Sequence, residues 1–367
     1  MKRKLMWYAL SKINGLEIRH IDMILQYSGD IELLFCRNKD KVKRLFDELR
    51  FHNKLTQQLL KLTETDYSDE LENLSKNGIF FVTKEDSGYP KRLQNMQQAP
   101  YYLYYKGRLP SGSVPSLAVI GARNCSIYGK EIALCFSSIL AESGIQIISG
   151  MARGIDGYAH KGALEVGGYT CGVLGFGIDI CYPKEHNGLK HDLQDKGGVI
   201  TEYPLGTPGL QQNFPARNRL IAGLSDAVLV IEAAHKSGTL ITVDFALEQG
   251  KMVYAIPGRI GDSLSEGCND IIKDGGKIVT EPQDIFEEFR MKLVQKHENS
   301  ENQKNKIVLE TQEKMLYACL DLEPRHLEQL ILATKLSRND VLLSLMRLER
   351  AGYIRQPMKN YFIRNIR

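Results

Sequence analysis

Between residues 115 and 280 the chain repeats one pattern: a short apolar run rich in β-branched residues, a glycine-containing turn, then a stretch with helical spacing. The runs fall at 116–120, 145–148, 170–174, 199–201, 227–231, 252–256 and 277–279. Strands that alternate with helices pair in parallel and bury both faces, which implies a doubly wound α/β sheet of the Rossmann-like kind. Ligands in such sheets lie beyond the carboxyl ends of the strands, so the loops that follow each run are where function should sit.

The flanks have a different texture. Residues 1–80 carry apolar positions at helical spacing, such as Ile18, Ile21, Ile24 and Leu25, then Val42, Leu45, Phe46 and Leu49, broken by Gly15 and Gly29. This predicts a small helical domain of SAM-like or helix-hairpin-helix-like form. Ile13-Asn14-Gly15-Leu16 is a short match to a turn whose amides meet DNA phosphate, and plain helical packing is the simpler reading. The sheet domain is expected over 81–290. Residues 291–306 are polar and read as a linker. Helical patterns at 308–320, 325–333 and 338–349, then two strand-like runs, follow the order of a winged helix-turn-helix, giving a third domain over 307–367.

Composition narrows the class. Of 367 residues, 43% are hydrophobic and 25% charged, enough apolar material for a sizeable core. A net charge of +4 permits a polyanionic partner without establishing one. The seven cysteines form no Cys-x-x-Cys pair and no zinc spacing, so reduced thiols and no metal are expected. The basic start has too short an apolar core for a signal peptide, and no later run is long enough to cross a bilayer. A cytoplasmic protein is therefore expected, with no membrane partner.

Five strand-end loops carry phosphate-binding chemistry. After the first run comes Gly121-Ala122-Arg123-Asn124-Cys125-Ser126-Ile127-Tyr128-Gly129, where glycine admits close main-chain approach and Arg123 offers a planar fork. It lacks the G-x-G-x-x-G of a dinucleotide site, so no cofactor is expected. The second loop holds Gly150, Arg153 and Gly154, with Asp156 as a helix cap and His160 more plausibly packed than catalytic. The third places Tyr182 beside Pro183 and Lys184, a pairing suited to base stacking plus charge neutralisation. Phe214 offers another stacking face. Arg217 and Arg219 stand two apart at a helix start, placed to span consecutive phosphates unless Arg219 braces the fold. The last loop has Lys236, Ser237, Gly238 and Thr239 ahead of a helix.

The order of these motifs resembles the DprA/Smf (DNA-processing protein A) family. The likeness rests on G-A-R-x-x-S-x-Y-G at 121–129, S-G-M-A-R-G-I-D-G-x-A-H at 149–160 and F-P-x-R-N-R-x-I-A-G-L at 214–224. K-S-G-T-L-I-T at 236–242, A-x-x-Q-G at 246–250 and I-P-G at 256–258 complete it. The resemblance implies a non-catalytic, homodimeric single-stranded DNA-binding protein that helps load the RecA recombinase in natural transformation. By motif position it assigns the DNA grip to Arg123, Lys184, Arg217 and Arg219, joined by Gly150, Arg153 and Gly154. Gly121, Ser126, Phe214 and the 236–239 loop line the same site. Dimerisation in the family would fall near Ile271, Ile272 and Ile278, for which core packing is an equally good reading.

Two rivals stay open. Nucleotide phosphoribohydrolases of the cytokinin-activating LOG type share this loop style, but their P-G-G-x-G-T-x-x-E pattern needs a glutamate where this chain has Thr242. Glu232, which sits before the loop, is the candidate substitute. A winged-helix transcription factor is the other rival, since residues 337–367 hold seven Lys or Arg against two acids. The presumptive recognition helix, however, offers few side chains for base edges, and the wing can serve as an accessory DNA contact or as structure alone.

Overall fold

The computed structural model of the chain describes residues 3–36, 39–62, 66–289 and 310–365. The expected linker, 291–306, lies outside the described residues. Among those described, no helix is long and apolar enough to cross a membrane, and no group of three or more His, Cys, Asp or Glu is placed to hold a metal ion.

The centre is a nine-stranded sheet. Its strands are β1 (Phe80–Thr83), β2 (Tyr102–Gly107), β3 (Ser116–Ile120), β4 (Gln146–Ser149), β5 (Thr170–Val173), β6 (Gly198–Thr201), β7 (Ala227–Val230), β8 (Met252–Ala255) and β9 (Lys277–Ile278), in the order β1-β2-β6-β5-β4-β3-β7-β8-β9. From β6 to β9 across the sheet every pairing is parallel, whereas β1 pairs β2 and β2 pairs β6 antiparallel. All seven expected strands are present within a residue or two of their expected bounds. The aromatic strands β1 and β2 were not expected: they extend the sheet at one edge and give the helical domain its seat.

Alternation along β3 shows why the sheet is covered on both sides. Ala118 and Ile120 join the core formed with Leu220, Ile221 and Val243, while Leu117 and Val119 join the opposite core with Ile132, Phe136 and Leu140. Each such aliphatic side chain contributes roughly 1.5–3 kcal/mol by leaving water. The first domain packs helices Arg3–Ser11, Ile18–Ser28, Lys39–Glu48, Asn53–Leu60 and Ser68–Lys76 around Trp7, Tyr8 and Leu10, and closes on Phe81 of β1 and Tyr104 of β2. The last comprises helices Thr311–Ala318, Leu327–Thr334 and Arg338–Arg350 with a three-stranded antiparallel sheet of β10 (Arg325–His326), β11 (Ile354–Met358) and β12 (Tyr361–Arg364). The three helices and the closing hairpin follow one another in the expected order, with β10, which the sequence reading lacked, paired to β12.

His160 is packed, as its sequence context suggested. It is fully buried in helix Ile155–Glu165, its Nδ1 lies 2.6 Å from the Thr170 hydroxyl, and that hydroxyl donates to Ile147 O. Burial pulls its pKa from 6.5 down to about 3. The unfolded chain therefore takes up a proton below pH 6.5 that the folded chain refuses, and stability is lost as pH falls toward 3. Urea unfolding at pH 7.5 and pH 5 should show wild type losing about 2 kcal/mol more than His160→Gln across that interval, from about 1.4 kcal/mol per pH unit.

Candidate nucleic-acid interface

The sheet reverses its winding between β3 and β7, and a cleft of about 550 Å³ opens at their carboxyl ends. This is the switch point where open α/β sheets take ligands. Gly121, Arg123 and Asn124 from the loop after β3 form one wall. Ser237, Gly238 and Thr239, where helix Gly238–Glu248 begins, form the other. Ser237 caps that helix, its hydroxyl accepting from Thr239 N at 3.2 Å. A helix start presents unpaired amides and positive dipole to whatever lies before it.

A smaller hollow of about 200 Å³ continues past Arg123 toward β5, lined by Gly150, Arg153, Phe176, Tyr182 and Phe214. Tyr182 lies 5.6 Å from Phe214 and 6.3 Å from Phe176, ring centre to ring centre. The Arg123 guanidinium sits 5.2 Å from the Phe214 ring centre, and among the described residues no acid pairs with it. An unneutralised cation over an aromatic series is the arrangement that grips a phosphate backbone while bases stack.

The arginines of helix Asn213–Leu224 depart from expectation. Arg217 and Arg219 do not fan over consecutive phosphates. Arg217 is only 3% exposed and lies under the cleft, its guanidinium donating to Gly150 O at 2.6 Å and to Val173 O. Burial lowers its pKa to about 10, and the facing Asp156 carboxylate works against that fall. Asp156 is itself pushed up by burial and held back by Arg217. Arg219 turns the other way into an ion pair with Glu202 and a bond to Gln98 O, which is the bracing role left open for it. The two-residue offset sends the side chains to different sides of the helix, and one of those sides is interior.

Other expected residues are dispersed. The Ser126 hydroxyl and amide both donate to Glu232, whose buried carboxyl is pushed up by desolvation; the pair locks the β3 loop and does not face the cleft. Arg153 is exposed but paired with Glu185. Lys184 and Lys236 are exposed, each beside a lining residue rather than lining the cleft. Gly154 holds φ +71°, and a Cβ there would stand 2.2 Å from Ala122 O, which ties this turn to the Arg123 loop. Ile271 is buried, Ile272 partly buried and packed on the core, and Ile278 half exposed at the β9 edge. Asn124, Gln211 and Asn218 line the cleft without having been singled out in the sequence; amide side chains in loops carry no spacing signal.

The family model described as DNA recombination-mediator protein A matches residues 80–290, the sheet domain that forms this cleft. The chain belongs to the DNA recombination-mediator protein A family. Relatives bear this out. The DNA processing protein DprA of Streptococcus pneumoniae is 44% identical over 293 residues, covering 77% of this chain and 96% of that protein. Protein Smf of Escherichia coli is also 44% identical, over 58% of this chain and 57% of that protein. A solved structure of DprA from Streptococcus pneumoniae matches 78% of the chain and 99% of its own length, with TM-score 0.66 and 35% identity. A solved structure of DNA processing protein A from Helicobacter pylori, described as revealing a single-stranded DNA binding mode, matches 57% of the chain and 95% of its own length, with TM-score 0.52 and 27% identity.

Proposed function

We propose that the chain is a non-catalytic, cytoplasmic, single-stranded DNA-binding protein that protects incoming DNA and helps load RecA recombinase during transformation and recombination. The observation that carries the reading is the unpaired Arg123 guanidinium laid over Phe214, at the junction of two hollows that follow the strand ends. A strand would run from the start of helix Gly238–Glu248, across Arg123, to Tyr182, with Lys184, Arg153 and Lys236 along its rim. Arg217 would act from below, holding the shape of the Gly150 turn. The Helicobacter pylori relative supports this substrate class. Homodimerisation would use the region of Ile271, Ile272 and Ile278, of which Ile278 is exposed on the β9 edge.

Filter binding of oligothymidylate across a salt series tests the proposal. Binding should weaken steeply as salt rises and should favour single strands over duplex. Arg123→Ala should lower affinity severalfold with unchanged melting, and Lys184→Ala should act in the same direction. Normal binding by both variants would refute the site. The glycosidase reading loses Glu232 as a substitute carboxylate because it is spent on Ser126; incubation with nucleoside monophosphates should release no free base. Deletion of 307–367 should leave single-strand binding in place, whereas its complete loss would favour the transcription-factor reading.

A further inference from the structure

The first domain treats its positive charges in two different ways. In residues 3–36 and 66–79 every Lys or Arg is neutralised: Arg3 by Asp30 and Glu85, Lys4 by Asp86, Lys12 by Glu70, Arg19 by Glu17 and Lys76 by Glu72. Between 39 and 61 the pattern breaks. That segment holds seven Lys or Arg against three Asp or Glu, an excess equal to the +4 of the whole chain. Lys43, Arg44, Arg50, Lys54 and Lys61 are all exposed, and none has an ion-pair partner among the described residues although Asp40, Asp47 and Glu48 share their segment.

An apolar scaffold lies beneath these cations. Helices Lys39–Glu48 and Asn53–Leu60 bury Val42, Leu45, Phe46, Leu55 and Leu59. Phe51 in the turn between them stacks on Phe46 with ring centres 5.5 Å apart. The polar faces are therefore fixed outward as a cationic helical hairpin. We infer that this hairpin is a second polyanion-binding face, taking the phosphate backbone of a nucleic acid strand through Lys43, Arg44, Arg50, Lys54 and Lys61. Unpaired, mutually repelling cations on a rigid surface bind a phosphate polymer by releasing its counterions, with no base chemistry required. The face belongs to the domain seated on β1, which lies five strand spacings, roughly 24 Å, from β3 in the sheet order. None of its five cations lines either hollow at the strand ends, and a protein holding strand at both places would keep a longer stretch extended.

The test uses the full chain, labelled oligothymidylate and a salt series. Lys43→Glu/Arg44→Glu/Lys54→Glu should weaken binding about tenfold at low salt and flatten the salt slope by about 2, at about 0.7 per lost contact on a single strand. The three Gln replacements should move both readings in the same direction by less. Thermal melting should stay unchanged, because no partner of these side chains is lost. Wild-type affinity and slope in a folded charge-reversal variant would overturn the inference. So would an effect confined to sedimentation with phosphatidylserine vesicles, since that marks a lipid surface. The cleft proposal fails separately: if Arg123→Ala binds as wild type while the triple variant loses all binding, the cleft assignment falls and the hairpin stands.

Discussion

Arg217→Ala is expected to cost about 3–5 kcal/mol of stability, the range for removing one member of a buried charged set. Although it stands in the motif F-P-x-R-N-R, its guanidinium is interior, bonded to Gly150 O and Val173 O and facing the buried Asp156. Truncation strips two carbonyls at the strand ends of their donor and leaves a carboxylate in low dielectric without its counter-charge. The pH dependence distinguishes this from a simple cavity. With Arg217 gone, the folded pKa of Asp156, already raised by burial, rises further above the unfolded value of 3.8. The folded form then holds a proton that the unfolded form has released, so the penalty is smallest near pH 4 and grows as pH rises through the folded pKa. Urea unfolding at pH 5 and pH 8 should show the gap to wild type widening, and Asp156→Asn added to Arg217→Ala should recover part of the loss. A penalty below 1 kcal/mol that does not vary with pH would contradict the buried-pair reading.

The second large effect belongs to a residue with no side chain. Gly154 has φ +71° and ψ −131°, a region that only glycine occupies at low cost. A Cβ there would also meet Ala122 O at 2.2 Å and Arg123 O at 2.5 Å, both main-chain atoms that cannot swing aside. Backbone strain and steric overlap together put Gly154→Ala at about 2–5 kcal/mol. Relief can come only by shifting the Arg123 loop, so single-strand affinity should fall together with the melting temperature. Gly188→Ala is the control, because a Cβ there meets nothing within 4 Å and its φ is ordinary. Equal stability of the two variants would show that the β3 and β4 loops are not braced as described.

Much of this was legible in the sequence because the sheet writes itself plainly. Buried parallel strands are continuous apolar runs, and the loops after them need glycine for close approach, so both the architecture and the position of the cleft followed from pattern alone. Strands β1 and β2 escaped because Phe80–Thr83 and Tyr102–Gly107 are short aromatic strands that pair antiparallel, outside the strand–helix alternation and next to a helical domain that shares their core. The fate of individual cations was harder. Two arginines two apart must diverge on a helix, but which one enters the interior depends on the helix's rotation against the sheet, a tertiary fact. Ser126 read as an anion ligand until its partner Glu232, 106 residues away, claimed it. The hairpin at 39–61 shows the same limit from the other side, since a run of lysines reads as an ordinary solvated face until the neutralisation of all its neighbours is seen.

Photo-crosslinking of thymidine-substituted single strands to the full chain, with the attachment sites mapped by mass spectrometry, tests the cleft most directly. Adducts should concentrate on Tyr182, Phe214 and the peptide carrying Arg123, and should diminish in Arg123→Ala and as salt rises. Adducts confined to residues 310–365, with none at Phe214 or Tyr182, would contradict a DNA grip at the strand ends.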